Sequence, residues 1–197
     1  MAGRHSVSWI AALLWCSAFQ SPAMAQGTDA AAARQREGEQ LYLKIHGVLT
    51  HPRCLNCHPK GDSPRQGDTA RVHVPPIARG PRDAGPAGLE CSACHQAQNN
   101  PASGVPGAPQ WHLAPRSMAW EGLSAGELCR AILDPKRNGN KTLEATVQHL
   151  TRDELVEWGW HPGTDASGRP RAPVPMSKDE FVKTVNAWAK LGAVCPR

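Results

Sequence analysis

The chain carries the same five-residue pattern, Cys-x-x-Cys-His, at two places. It reads "CLNCH" and "CSACH", and its members are Cys54, Cys57, His58, Cys91, Cys94 and His95. Cysteines three apart project to the same side of a helical turn, where both sulfurs can form thioethers with the vinyl groups of one haem. The adjoining histidine then reaches the iron from one face of the ring. The sequence therefore predicts two covalent c-type haems, with the four cysteines as attachment points and the two histidines as proximal iron ligands.

Zinc binding and redox disulfide chemistry are the alternatives to haem. Two Cys-x-x-Cys pairs could supply four sulfurs to a tetrahedral zinc site. However, the pairs of a zinc ribbon lie closer together in sequence, and zinc does not need a histidine directly after both pairs. A thioredoxin-like pair would lie among alternating strands and helices, which neither segment has as neighbours. The repeated histidine therefore favours haem.

Each haem iron has a second axial position, and the chain offers more ligands than two haems need. The candidate distal ligands are Met118 in "HLAPRSMAW", His73 in "RVHVPP" and His149 in "VQHLTRDEL". A methionine in a proline-containing loop can lie over a ring, and the prolines after the loop histidine hold it extended. Each candidate also has an ordinary interpretation as a packing or solvated side chain. The other possible ligands are His46, His51, His112, His161 and Met176.

Cys129 and Cys195 belong to neither motif. In an oxidising compartment their expected state is a disulfide bond that joins the helix after Ser124 to the end of the last helix. A pair of buried thiols is the alternative.

Residues 1–25 have the parts of a secretory signal peptide: a basic start, an apolar run over 7–19 and the small residues "AMA", ending at Ala25. An uncleaved membrane anchor is the alternative, but the apolar run is short for a membrane span. We therefore expect cleavage after Ala25, a periplasmic location, a dihaem cytochrome c domain over 26–197 and no membrane span after cleavage.

The charge and composition of the chain limit its partners and its core. The chain has 22 basic and 17 acidic side chains, a formal net charge of +5, which is too small an excess to indicate nucleic acid. We expect redox partner proteins in the periplasm instead, and the oligomeric state stays open. With 18 Gly and 18 Pro but only 7 Trp, 2 Phe and 1 Tyr, the chain has few large side chains for a core. The haems are therefore expected to form much of the core.

The predicted fold is mainly α, with long Pro/Gly-rich loops and no sheet. Capping boxes are predicted at Ser124 with Glu127 and at Ser177 with Glu180. The region 143–158 is predicted as one helix or as two helices that break near Thr151. The predicted helices span 32–48, 124–133, 143–158 and 177–191, and the predicted long loops span 59–88 and 99–115.

Several longer segments carry a family resemblance. They are "HPRCLNCHPKGD", "GLECSACHQAQN", "PGAPQWHLAPRSMAWEG", "RNGNKTLEATVQHL" and "EWGWHPG". In these segments the chain resembles the small periplasmic dihaem cytochromes c of proteobacteria, some of which are named as cytochrome partners of molybdenum hydroxylases such as isoquinoline 1-oxidoreductase. In this resemblance His73, Met118 and His149 occupy recurring positions. The chain lacks the two well-separated cytochrome domains expected of a dihaem peroxidase.

Together the motifs and the resemblance predict a periplasmic electron-transfer protein. It would pass electrons between a dehydrogenase or respiratory donor and an acceptor, without transforming a substrate. One alternative is a peroxidase-like haem enzyme with one open or displaceable sixth position. The other alternative is a dedicated cytochrome subunit of a dehydrogenase complex.

Overall fold

The computed structural model describes residues 22–197 of the chain, with side chains from residue 29 onward. Residues 1–21 of the expected signal peptide lie outside the described residues. The fold is mainly helical, as predicted. The α-helices are α1 (Pro22–Leu49), α2 (Pro52–Leu55), α3 (Ala125–Leu133), α4 (Leu143–Arg152), α5 (Glu154–Glu157) and α6 (Lys178–Lys190). Three-residue 3₁₀ helices lie at Cys91–Ala93, Arg116–Met118 and Trp158–Trp160.

Helix α1 contains the predicted helix 32–48 but begins ten residues earlier, at Pro22. Its added part is rich in alanine, the residue with the best intrinsic helix propensity. Tyr42, Ile45 and Val48 recur at a spacing of three residues and are buried. No helix among residues 22–197, α1 included, is both long and apolar enough to cross a membrane.

The apolar core lies among the helices α1, α3, α4 and α6, which pack on one another. Tyr42 of α1 and Trp188 of α6 meet at its centre, with ring centroids 5.5 Å apart. Other fully or nearly fully buried core side chains are Ile45, Val48, Leu128, Ile132, Leu150, Phe181 and Val185. Side chains therefore supply a core to the helical part of the chain, and a contribution of haem to the core stays a prediction.

Capping groups set the ends of the helices after residue 120. The predicted capping box of α3 is confirmed, because Ser124 accepts from the backbone N–H of Glu127 and its own N–H donates to the Glu127 carboxylate. At α6, Ser177 accepts from the Glu180 backbone N–H at 3.2 Å, but the reciprocal half of the predicted box does not form. The Glu180 side chain is exposed there and can be satisfied by solvent.

The region 143–158 forms two helices, which decides between the two predictions for it. Helix α4 ends at Arg152 and α5 begins at Glu154. Asp153 separates them, since its carboxylate accepts from the backbone N–H groups of Leu155 and Val156.

A short antiparallel ladder interrupts the predicted loop 59–88. Strand β1 (Arg65–Gln66) pairs with strand β2 (Arg71–Val72). The expectation that the chain has no sheet is wrong, because strands of two residues are too short to show an alternating pattern. The hairpin directs the chain into His73, whose backbone N–H donates to Pro64 O at 3.1 Å.

The structure contains the predicted disulfide bond between Cys129 and Cys195, whose Cα atoms lie 5.5 Å apart. Cys129 is fully buried on α3. The bond ties the segment after α6 to α3, and so holds the chain end against the helical core.

Candidate functional site

The first Cys-x-x-Cys-His segment begins on the short helix α2. His51 caps this helix, and Pro52 occupies its first turn, where a missing N–H is tolerated. The turn continues past the end of α2, because the N–H of Cys57 donates to the carbonyl of Cys54 at 3.1 Å. The first motif is therefore a single helical turn, as its chemistry requires.

The second segment forms a comparable turn without an α-helix. Cys91 opens the 3₁₀ helix Cys91–Ala93, and the N–H groups of Cys94 and His95 both donate to its carbonyl, at 3.2 and 2.9 Å. The N–H of Cys91 is held by the carbonyl of Ala84 at 2.8 Å. Two unrelated stretches of backbone thus present the same residue types on one turn each, with the second cysteine's N–H bonded to the first cysteine's carbonyl in both.

The sulfurs of the two motifs are free thiols, whereas the other cysteines described form the disulfide. Burial raises the pKa of Cys54 to about 12 and that of Cys57 to about 11. The Cys91 thiol is a second, smaller cause that raises the pKa of Cys57. Among the described residues there is no cluster of three or more His, Cys, Asp or Glu side chains that could hold a metal ion.

The ring of His58 is held by one backbone carbonyl. Its Nδ1 lies 2.7 Å from the carbonyl oxygen of Met118. A carbonyl can only accept, so Nδ1 carries the proton and Nε2 carries the lone pair. Burial lowers the pKa of His58 to about 3, with smaller lowering by His149 and Arg79 and an opposing effect of the Met118 bond. The ring is therefore neutral, with Nε2 able to ligate a metal.

The ring of His95 is held in the same way by a different loop. Its Nδ1 donates to the carbonyl oxygen of Pro106 at 2.7 Å. Burial lowers its pKa, the Pro106 bond opposes this, and the neighbouring His73 lowers it further. Both motif histidines are thus neutral and have the same tautomer.

A tryptophan stacks on each motif histidine. Trp120 lies on His58 with ring centroids 3.4 Å apart and planes inclined by 13°, and Trp111 lies on His95 at 4.5 Å and 5°. The sequence gives no signal of these two stacking contacts, because each tryptophan is separated in sequence from the histidine that it contacts.

Two buried N–H donors beside His58 lack an acceptor within hydrogen-bond distance. The Nε1 of Trp120 has no hydrogen-bond acceptor among the described residues, and the Nε of Arg79 has only the Asp62 carboxylate, at 4.0 Å, although both residues are only 5% exposed. The other side of the Arg79 guanidinium donates to Asp83 at 2.6 Å. An unsatisfied buried donor costs about 1–3 kcal/mol. The two donors therefore mark a position suited to an acceptor group, such as a carboxylate.

Met118 contributes to the site through its backbone. Its carbonyl accepts from His58 Nδ1, the side of that imidazole opposite to the nitrogen that would bind iron. Its side chain is 8% exposed and packs in the helical core. This position would favour a histidine over Met118 as the distal ligand of a haem bound at the first motif, since the thioether starts on the side of His58.

The two histidines among the candidate distal ligands lie near different motifs. The Nδ1 of His149 is 3.1 Å from the Asp153 carboxylate, and its charge lowers the pKa of His58. The Nδ1 of His73 is 2.8 Å from the carbonyl oxygen of Pro75, and its ring centroid lies 5.9 Å from that of His95. Both candidates therefore have Nδ1 engaged and Nε2 available.

The remaining possible ligands have other surroundings. His51 caps α2, Met176 is half-buried against the helical core, and His161 is exposed beside Glu157. His112 is exposed, with its Nδ1 on the carbonyl oxygen of Gln110, and its charge also lowers the pKa of His58.

An open cleft of about 560 Å³ lies beside the second motif. Its walls include His95, Trp111, Ser92 and His112. Its volume falls in the range of pockets that hold cofactors and other small ligands. The second motif is thus accessible from one side.

The arrangement has the donor set of a covalent haem site, twice. Each motif supplies two free thiols and a neutral imidazole with a lone pair on Nε2. The unpaired donors at Trp120 and Arg79 fit a haem propionate. Comparison of the chain with protein-family models, with curated proteins and with solved structures found no match. A proposal about function therefore depends on the residues of the chain alone.

Proposed function

We propose that the protein is an exported dihaem cytochrome c that transfers electrons between periplasmic partners. The observation that carries the proposal is the shared anchoring of His58 and His95, each by one Nδ1–H bond to a backbone carbonyl. Metal-binding histidines are held in this way, because the bond orients the ring and makes Nε2 a stronger donor. The same arrangement occurs in two different loops, each beside a pair of free thiols.

The residues have separate tasks in this proposal. The four cysteines attach the two haems covalently, and His58 and His95 bind the irons from their proximal faces. A bound haem iron supplies reversible one-electron chemistry. The carbonyls of Met118 and Pro106 fix the orientation of the imidazoles, and burial keeps both rings neutral.

Aromatic contacts connect the two motifs. Trp111 stacks on His95 and meets Trp158 edge-on, with ring centroids 5.1 Å apart. The guanidinium of Arg53, the residue before Cys54, lies 5.6 Å from the Trp158 ring. This continuous contact supports exchange of electrons between two nearby haems, with entry through one and exit through the other.

For the electron donor and the electron acceptor, we propose only a class of protein. They are a dehydrogenase or respiratory donor and an acceptor protein in the periplasm, where residues 1–25 would direct the chain. The resemblance to small dihaem cytochromes c, some of them partners of molybdenum hydroxylases, supports this setting.

A reductive titration of the exported protein tests the electron-carrier function. We expect uptake of two electrons per chain, complete reoxidation by a chemical acceptor, and no turnover of hydrogen peroxide. Peroxide turnover together with a high-spin haem fraction would support the peroxidase-like alternative instead. A protein that takes up no electrons reversibly would contradict both.

Replacing Trp120 with phenylalanine tests the fit of a propionate beside His58. The variant keeps an aromatic ring on the histidine but removes the unpaired N–H. We expect the reduction potential of one haem to fall by on the order of 30 mV, or about 0.7 kcal/mol for one electron, because the carboxylate keeps more negative charge near the iron. Voltammetry of the two haems measures the shift.

Trp160→Phe is the matched control for this prediction. Trp160 also donates through Nε1, but its acceptor is the carbonyl oxygen of Met176, which belongs to neither motif. Its replacement should leave both potentials in place. Equal shifts in the two variants, or no shift in Trp120→Phe, would count against a propionate at Trp120.

A further inference from the structure

We propose that His73 and His95 are the two axial ligands of the iron at the second motif. The inference rests on the proposed function, since it needs a haem attached to Cys91 and Cys94. It assigns one distal ligand to one haem. The sequence alone offered eight candidate side chains for the distal positions and did not decide among them.

The distance between the two rings matches a shared metal. A metal-to-imidazole bond is about 2.0 Å, so two imidazoles on opposite sides of one metal have nitrogens about 4 Å apart and ring centres about 6 Å apart. The ring centroids of His73 and His95 lie 5.9 Å apart, with planes inclined by 60°. The two imidazoles therefore already have the separation that axial ligation requires.

Both rings have the tautomer that ligation requires. The Nδ1 of His73 donates to Pro75 O at 2.8 Å, and the Nδ1 of His95 donates to Pro106 O at 2.7 Å. Each acceptor is a carbonyl, so Nδ1 carries a proton on both rings, and in the neutral tautomer the lone pair is on Nε2. The backbone bonds also hold the rings in place before any metal binds.

The backbone around His73 turns it inward. Its N–H donates to Pro64 O at 3.1 Å, and the next N–H, of Val74, donates to the Gln66 side chain at 2.9 Å. In extended backbone, successive side chains point to opposite sides. Val72 and Val74 are 48% and 63% exposed, while the histidine between them is half-buried. This reverses the usual burial of apolar side chains and indicates a role for the histidine inside.

The other aromatic neighbour of His95 cannot be the ligand. Trp111 lies parallel to the His95 ring at 4.5 Å, and an indole N–H only donates. His73 is tilted relative to His95 and has a nitrogen lone pair. Among the aromatic contacts of His95 in the described residues, His73 has the chemistry of an iron ligand.

Ligation by two histidines has consequences for the reaction. Both axial positions of the second haem are filled, so peroxide cannot reach that iron without displacing a ligand. Two histidines also give a lower reduction potential than a methionine and a histidine. The second haem is thus a closed electron-transfer centre.

Spectroscopy of the holoprotein and two His73 variants tests the assignment. Near-infrared magnetic circular dichroism and electron paramagnetic resonance of the ferric wild type should include one low-spin haem with two nitrogen ligands. In His73→Gly, half of the haem should become high-spin, and added imidazole should restore the low-spin signal. In His73→Met, the signal should change to that of a methionine–histidine pair, with a raised potential for one haem.

His161→Ala is the control, because His161 is exposed and pairs with Glu157. It should keep the wild-type spectra, and all variants should keep two covalent haems. A His73→Gly protein with two haems and an unchanged low-spin spectrum would overturn the ligand assignment but leave the dihaem function intact. If the wild-type spectrum shows no haem with two nitrogen ligands, that result alone would overturn the ligand assignment. A wild type that carries no haem would contradict the proposed function itself.

Discussion

Replacing Cys91 and Cys94 with alanine is expected to remove one of two covalent haems from the exported protein. The variant has no sulfur left at the second motif, so no thioether can form there, while Cys54 and Cys57 keep theirs. A pyridine haemochrome assay after acid extraction of any loose haem should give half of the wild-type absorbance per chain. The intact mass of the variant should be lower than that of the wild type by the mass of one haem, in addition to the difference between the cysteine and alanine side chains.

The control for this experiment removes a different pair of cysteines. Serine at Cys129 and Cys195 deletes the same number of sulfurs but touches neither motif. This variant should keep both haems. Equal haem content in the two double variants, at either one or two haems per chain, would contradict the assignment of the motif cysteines.

The same control variant is expected to lose about 4 kcal/mol of stability in the chain-entropy description of disulfides. The bond closes a sequence separation of 66 residues and joins the fully buried Cys129 of α3 to the segment after α6. Its removal frees the unfolded chain and leaves the packing of the helices largely in place. Urea unfolding of the holoprotein, followed by far-ultraviolet circular dichroism, measures the loss.

Single variants separate the bond from the side chains. Cys129→Ser and Cys195→Ser should each lose about as much stability as the double variant, because either change breaks the same bond. A loss below about 1 kcal/mol in the double variant would show that the bond contributes little to folding. Two alkylatable thiols at these positions in the unreduced wild type would show that the bond is not formed in solution.

The helices could be predicted from the sequence where local signals are strong. Ser124 and Glu127 cap α3 as their spacing indicates, because a capping box needs only neighbouring residues. The carboxylate of Asp153 explains why 143–158 divides into two helices, a choice that periodicity alone left open. The strands at 65–66 and 71–72 escaped prediction since two residues carry no period.

The sequence predicts a chemistry for the site but does not predict its geometry. The spacing of the cysteines and histidines in the two motifs predicts haem as the cofactor. The acceptors at Met118 and Pro106 are backbone carbonyls, which every residue has, so no residue type marks them. Trp120 and Trp111 contact the motif histidines only because the segment after the second motif folds back onto them.

The core shows that residue composition alone does not predict what fills the centre of the fold. Few aromatic residues suggested that haems fill the centre, but a small number of large side chains suffices when they meet. Tyr42 and Trp188, with Phe181 nearby in the same cluster, close the helical core. The expected contribution of haem therefore concerns the loops around 54–58 and 91–95 more than the helices.

The most direct test of the central claim is the intact mass of the exported wild-type protein, taken together with its pyridine haemochrome spectrum. We predict a chain that begins after Ala25 and is heavier than its amino acids by two haems, with a spectrum typical of thioether-linked haem. A colourless protein whose mass equals that of its polypeptide, or one that carries zinc at the motif cysteines, would contradict the account.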